Sequence, residues 1–307
     1  MGYLAIRIHT LRPNHRLNFD VFVKVAEKHI HYIRNSEPFD ADRLSRLKQK
    51  GVKKLYIKRD EEPLYFTYLD QGLVDLADAS TQVAARGNLA NDALVTDAEN
   101  IESTLDTEHG FKSLEGRVGK IIQFLSSEKS ALKSMMDAAG AAEDVFQHCA
   151  SVSSLAMGLA IKVTGLPDRE LYDLAVSGLV HDLGKAKLGV DSATPLENLP
   201  PEQQELFKKH PSAALDLLQT KKYITPGVLR LVMDHEEVGV GQGYPDRKSL
   251  AKMHLTSRIL NLVNAYDRFA MTRKASPVGL VQDFFQEKGP LFDGELMSKL
   301  GEVLMGK

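Results

Sequence analysis

Apolar positions along this chain change their period, and the change divides it. In "LNFDVFVKV" the residues Leu17, Phe19, Val21, Val23 and Val25 alternate with their neighbours, the two-residue period of a half-buried strand. "HIHYIR" reads as its partner across a short polar turn. "DADRLSRLKQKG" offers an N-cap at Asp40 or Asp42, helical leucines at Leu44 and Leu47, and a stop at Gly51. "VKKLYIK" and "EPLYFTYL" are aromatic or β-branched runs that read as two further strands. Together they predict a small mixed α/β domain of about four strands and a helix at residues 1–79.

From Ser80 to Glu108 the chain is rich in Ala, Asn and Asp, with scattered apolar residues. Residues 80–109 therefore read as a partly exposed helical linker. Beyond Gly110 the period becomes helical. "GRVGKIIQFLSS", "EDVFQHCASVSSLAMGLAIKVTG", "DRELYDLAVSGLVHDLGK" and "MHLTSRILNLVNAYDRFAM" all carry i, i+3, i+4 apolar spacing, and Pro167, Pro200, Pro201, Pro211 and Pro226 punctuate the series. The expected fold class is α+β, with the small N-terminal domain followed by an all-α bundle at residues 110–307.

Composition narrows the function. The 307 residues carry 39 basic and 41 acidic side chains, so no broad electrostatic pull toward nucleic acid or a membrane surface is present. The lone Cys149 cannot form an intrachain disulfide. The opening "MGYLAIRIHTLRPNHR" is too short in its apolar part and too charged for a secretory signal, and eighteen apolar residues never run together. A cytoplasmic protein is expected, with neither membrane insertion nor a nucleic-acid partner.

The stretch "SGLVHDLGKAK" then poses a physical problem. Ala175, Val176, Leu179, Val180 and Leu183 define a buried helical face, yet His181 and Asp182 fall directly on its end. Burying both groups unpaired costs several kcal/mol. Other histidines recur in this helical region: His148 one turn after Asp144, His210 before Pro211, and His235 before Glu236 and Glu237. Imidazole and carboxylate are the ligand set of first-row metals, and a bound ion would offset the desolvation of His181 and Asp182. Taken singly, each of these residues also fits an ordinary core or surface position. His15, His29, His31, His109 and His254 show no such pairing and are not taken as ligands.

The ordered set His148, "HDLGK" at 181–185, His210-Pro211, His235 and "GYP" at 243–245 resembles the HD-GYP subgroup of the HD-domain metal-dependent phosphohydrolases. The resemblance runs from Leu132 to Ser276, and the N-terminal domain loosely resembles the small α/β domains that precede HD-GYP domains in some bacterial proteins. It implies hydrolysis of the cyclic dinucleotide cyclic di-GMP with two iron or manganese ions, and a signalling protein partner reached through the N-terminal domain. His148, His181 and Asp182 would hold one metal. Asp182 would bridge to a second held by His210, His235 and Glu236. Lys185 and Arg273 would meet phosphate, and Tyr244 would offer its ring to a base. Asp182 and Lys185 are the implied catalytic pair.

Departures from the family pattern bear on activity. Glu236 replaces the second His of the family's His-His-Glu, Asn264 stands where the family has an Asp, and Asp144 stands where it has a Glu. A third metal is not expected. Two alternatives follow: a catalytically weak member that binds metal and nucleotide as a signalling module, or a hydrolase of another phosphate ester.

Overall fold

A computed structural model describes residues 2–305 except 38, 141, 143, 164–165, 191–193, 195 and 274–279. Gly165 and Ser276, which end two of the sequence segments above, lie outside the described residues. The chain opens with β1 (Tyr3–Arg7), β2 (Val21–Val25), β3 (Lys28–Ile33), α1 (Ala41–Gln49), β4 (Lys54–Lys58) and α2 (Glu62–Gly72). The strands form one antiparallel sheet in the order β1-β4-β2-β3, with Tyr3 opposite Lys58 and Phe22 opposite Tyr56. Leu4, Ile6, Val21, Leu55 and Ile57 bury one face of it.

Two elements differ from the sequence reading. "EPLYFTYL" is helical, because Pro63 lies in the first turn and Tyr65, Tyr68, Leu69 and Gly72 form a buried i, i+3, i+4, i+7 stripe. That spacing outweighs the β preference of the aromatic residues. The missing strand is supplied by β1, from the opening segment, to which the sequence reading gave no element. Asp40 does cap α1, accepting from the Asp42 amide, and Gly51 takes φ +71° just beyond it.

The remaining helices are α3 (Val83–Glu99), α4 (Ile101–Leu105), α5 (Glu108–Ser127), α6 (Ala131–Ala139), α7 (Val145–Lys162), α8 (Asp168–Val180) and α9 (Leu183–Leu188). They continue as α10 (Pro201–Phe207), α11 (His210–Leu218), α12 (Pro226–Asp234), α13 (Leu255–Arg273), α14 (Val281–Lys288) and α15 (Gly294–Leu304). Among the described residues, no helix is long and apolar enough to cross a membrane.

α3 is not the partly exposed connector its composition suggests. Leu89, Ala90, Ala93, Leu94 and Ala98 are buried, and so are the polar Arg86, Asn91 and Asp97, each with a partner. Asp97 meets Arg117 at 2.7 Å, Arg86 meets Glu128 at 3.1 Å, and Asn91 accepts from Gln147 at 3.0 Å. Its small residues permit close packing: a Cβ at Gly87 would collide with Ser134 of α6. α3 also abuts the sheet. Arg7 reaches Glu99 at 2.6 Å and the carboxylate of Asp144, the N-cap of α7, at 3.8 Å.

Candidate metal centre

Four helix ends and one long helix bring the singled-out residues together. α7 carries His148 in its first turn. α8 ends at Val180 and delivers His181 and Asp182 into the short turn before α9. His210 opens α11, and His235 with Glu236 follows the last turn of α12. Side-chain donor atoms of Asp182, His210, His235 and Glu236 lie within 4.8 Å of one another, as do those of His148, His181 and Asp182. Asp182 belongs to both groups. Its Oδ1 lies 3.5, 3.4 and 3.8 Å from Nε2 of His181, His210 and His235, and its Oδ2 lies 3.8 Å from Nε2 of His148. Donors each about 2.1 Å from one ion stand roughly 3–3.5 Å apart, so these separations are close to those of a ligand set.

The imidazoles are preset for coordination. Nδ1 of His181 donates to the Gly178 carbonyl at 2.9 Å, that of His210 to Phe207 at 2.6 Å, and that of His235 to Val232 at 2.6 Å. His148 Nδ1 donates to the Asp267 carboxylate at 2.6 Å, since a carboxylate can only accept. Each Nδ1 bond fixes the tautomer that leaves a lone pair on Nε2, the device that orients metal-ligating histidines. Burial drives His181 well below the usual imidazole range and His235 down to about 3, so both stay neutral. The Nε2 atoms of His210 and His235 lie 2.8 Å apart, both turned toward the one position that a cation would occupy. The donor set thus fits a divalent ion.

Charge around Asp182 is concentrated. Burial raises its carboxyl, but the cations Lys185 and Arg268 outweigh that and hold it well below the carboxylate range. Lys185 Nζ donates to Oδ2 at 2.7 Å, is itself buried, and packs over the Phe207 ring. It therefore braces Asp182. Arg273 lies elsewhere, paired with Glu287 at 2.5 Å and stacked over Phe269. It reaches the centre only as part of the lining of a cavity of about 410 Å³, shared with Phe207, His235, Tyr244, Asn264 and Arg268. Tyr244 is half-buried at its inner edge with its hydroxyl buried, and that desolvation pushes the phenol well above its ordinary range.

Asn264 does face the centre, its carboxamide oxygen 3.2 Å from His148 Nε2. Asp144 does not point with His148. It is an extended N-cap residue whose carboxylate accepts from the Gln147 amide at 2.8 Å and otherwise faces Arg7 and Lys54. The helical phase that would align it with His148 begins one residue later. Cys149 is buried, and burial lifts its thiol well above the ordinary range.

Sequence reasoning missed two central residues, Asp267 and Arg268. They follow Asn264 by three and four positions on α13, the spacing that stacks side chains on one helical face, so "NAYDR" carried the signal. Glu237, the third residue of "HEE", holds the following loop by accepting the amides of Asp246 and Lys248 at 2.6 and 2.9 Å. Gly243 is fixed by that loop, because a Cβ there would strike the backbone of Glu236, Glu237 and Val238.

The helical architecture and the paired histidine-carboxylate groups define an HD-type domain. The family model described as HD domain matches residues 121–287, and the chain belongs to that family. It is 24% identical over 173 residues to a cyclic di-GMP phosphodiesterase, PA4108, of Pseudomonas aeruginosa, covering 55% of this chain and 40% of that protein. It is 24% identical over 149 residues to the cyclic di-GMP phosphodiesterase response regulator RpfG of Xanthomonas campestris pv. campestris, covering 47% of this chain and 39% of that one. The matched segments thus span about two fifths of the length of these curated relatives. Among solved structures it is similar to Bd1817, an HDG"Y"P protein from Bdellovibrio bacteriovorus, with a TM-score of 0.81, 25% identity, and coverage of 99% of this chain and 100% of that one. Within the HD-domain family, the chain's likeness is therefore to HD-GYP proteins.

Proposed function

We propose that this chain is a binuclear metal-dependent phosphodiesterase that opens cyclic di-GMP in bacterial second-messenger signalling. The observation that carries the reading is the single carboxylate of Asp182 serving two donor groups. His148 and His181 would complete one group, and His210, His235 and Glu236 the other. Two iron or manganese ions bound there would polarise a phosphoryl oxygen and lower the pKa of a water. Lys185 would hold Asp182 in its bridging position. Arg273, at the cavity wall, would supply charge to a phosphate, and the Tyr244 ring a face to a base. In the reaction the water oxygen adds to phosphorus, the P–O bond to one ribose breaks, and that ribose oxygen leaves with a proton. Both curated relatives are named as acting on cyclic di-GMP, and one as a response regulator, which supports the substrate class and the signalling role. The N-terminal sheet, with Val25 and Ile30 exposed, is the part we assign to a signalling partner.

A second reading rests on a specific observation. Asn264 supplies a neutral oxygen where a charged ligand would bind more tightly, and Arg268 already neutralises Asp182 and Glu236. That combination favours a binding module with little turnover. Chromatography of cyclic di-GMP incubated with manganese- or iron-loaded protein decides between them. Linear dinucleotide or GMP as product supports the enzyme. Retained nucleotide affinity without product supports the module, and hydrolysis of unrelated phosphodiesters alone removes cyclic di-GMP as substrate.

A further inference from the structure

The strongest unexplained feature is Arg268. Its guanidinium spans the two carboxylates of the second donor group: Nη2 donates to Asp182 at 3.0 and 3.3 Å, and Nη1 donates to Glu236. These are the oxygens that a metal in the Asp182–His210–His235–Glu236 group would use. Lys185 shares Asp182 Oδ2 at 2.7 Å, so Asp182 and Glu236 are already matched by two buried or half-buried cations. The guanidinium thus bridges two carboxylates, one through each terminal nitrogen, with charge-assisted hydrogen bonds to both.

We infer that Arg268 is a resident counter-cation that competes with the metal of this second group, so that loading there requires the guanidinium to leave the carboxylates. This rests on the metal-centre reading above. Competition follows from shared lone pairs and like charge: an ion about 2.1 Å from the same oxygens would sit directly against the guanidinium. The group built on His148, His181 and Asp182 also meets a cation, Lys185 on Asp182 Oδ2 at 2.7 Å, but only the second group has both of its carboxylates tied by one guanidinium, so the second group is the one expected to bind more weakly. Arg268 has somewhere to go. It lines the same cavity as Arg273, and its guanidinium already packs 5.6 Å from the Phe207 ring centre. Swung outward, it would stand beside Arg273 as a second positive group for a phosphate.

The test is manganese binding to metal-free full chain, followed by calorimetry and by metal content, in wild type, Arg268→Gln and Arg268→Ala. The expected result is two unequal sites in wild type. The weaker one tightens on the order of 10–100-fold in both variants, the range over which residues around a metal site change affinity. Metal-free Arg268→Gln is also expected to melt lower than metal-free wild type and to gain more from manganese. Two sites of unchanged affinity in a folded Arg268→Gln would overturn the inference while leaving the metal centre intact. Weaker binding in that variant would overturn it too, by making Arg268 a supporting residue. No manganese binding by any of the three proteins would overturn both the inference and the metal-centre reading. Circular dichroism of Arg268→Gln establishes that the comparison is between folded chains.

Discussion

His210 and His235 meet through their Nε2 atoms at 2.8 Å, while both Nδ1 protons are spent on backbone carbonyls one turn back. Two imidazoles so turned present both Nε2 atoms to one position, which a divalent cation would fill. Addition of manganese or iron to the chelated protein is therefore expected to raise the melting temperature. Ligand at 100 times its dissociation constant contributes about 2.7 kcal/mol. Scanning fluorimetry with and without chelator checks this, and an unchanged midpoint at saturating metal would count against the site.

Asp182 is the residue both donor groups share. Asp182→Ala should abolish binding at both, where His148→Ala or His235→Ala should affect chiefly one. It also strands Lys185 as a buried charge, at a cost of about 3–5 kcal/mol, while Arg268 keeps Glu236. Metal content by mass spectrometry, alongside urea unfolding, separates the two effects. Two metals retained in Asp182→Ala would sink the shared-carboxylate arrangement.

Asp267 touches no candidate metal position but fixes His148 through the 2.6 Å bond to Nδ1. Asp267→Asn can present an acceptor or a donor there, so the tautomer is no longer imposed. A loss of about 10–100-fold in affinity at the His148 group is expected, with the other group unmoved. Isothermal titration with manganese reads both sites, and equal loss at both would contradict the assignment.

Gly243 lies against the backbone of Glu236 and Glu237. Gly243→Ala must push the two strands of that loop apart, carrying Glu236 away from His235. The expected outcome is weaker metal binding at the Glu236 group with the helical content retained. Unchanged binding would mean the loop yields without moving Glu236.

Far from the centre, Arg117 is buried and joins Asp97 of α3 at 2.7 Å to Asp70 of α2 at 2.9 Å. Burial lifts the Asp97 carboxyl and Arg117 lowers it, with a net rise, so the arginine is the group keeping it tolerable inside. Arg117→Ala is expected to destabilise the fold by about 3–5 kcal/mol, with metal affinity unchanged. Chemical denaturation measures the first and manganese titration the second; a loss below about 1 kcal/mol would show that water reaches Asp97.

Much of the centre was legible because its chemistry is written in residue types that are costly to bury: His148, His181, Asp182, His210, His235 and Glu236 all converge. What escaped was what depends on orientation. Arg268 reads as an ordinary surface cation on a helix until α13 is placed, and Asp267 as a flanking acid. In the N-terminal region, residue preference suggested a strand at "EPLYFTYL", whereas its buried spacing makes a helix. α3 was obscured for the opposite reason. Small and polar residues look exposed in a list, yet they let helices approach closely once each polar group finds a partner.

Because Asn264, Asp267 and Arg268 all ride on α13, they move as one body. Each residue added to a helix turns everything after it by about 100°. One residue inserted anywhere between Leu255 and Asn264 would swing the amide, the histidine's orienting acid and the guanidinium away from Asp182 together. The length of this segment is therefore as much a part of the chemistry as its composition: the centre can be retuned by exchanging side chains on α13, but not by lengthening or shortening the stretch that leads to them.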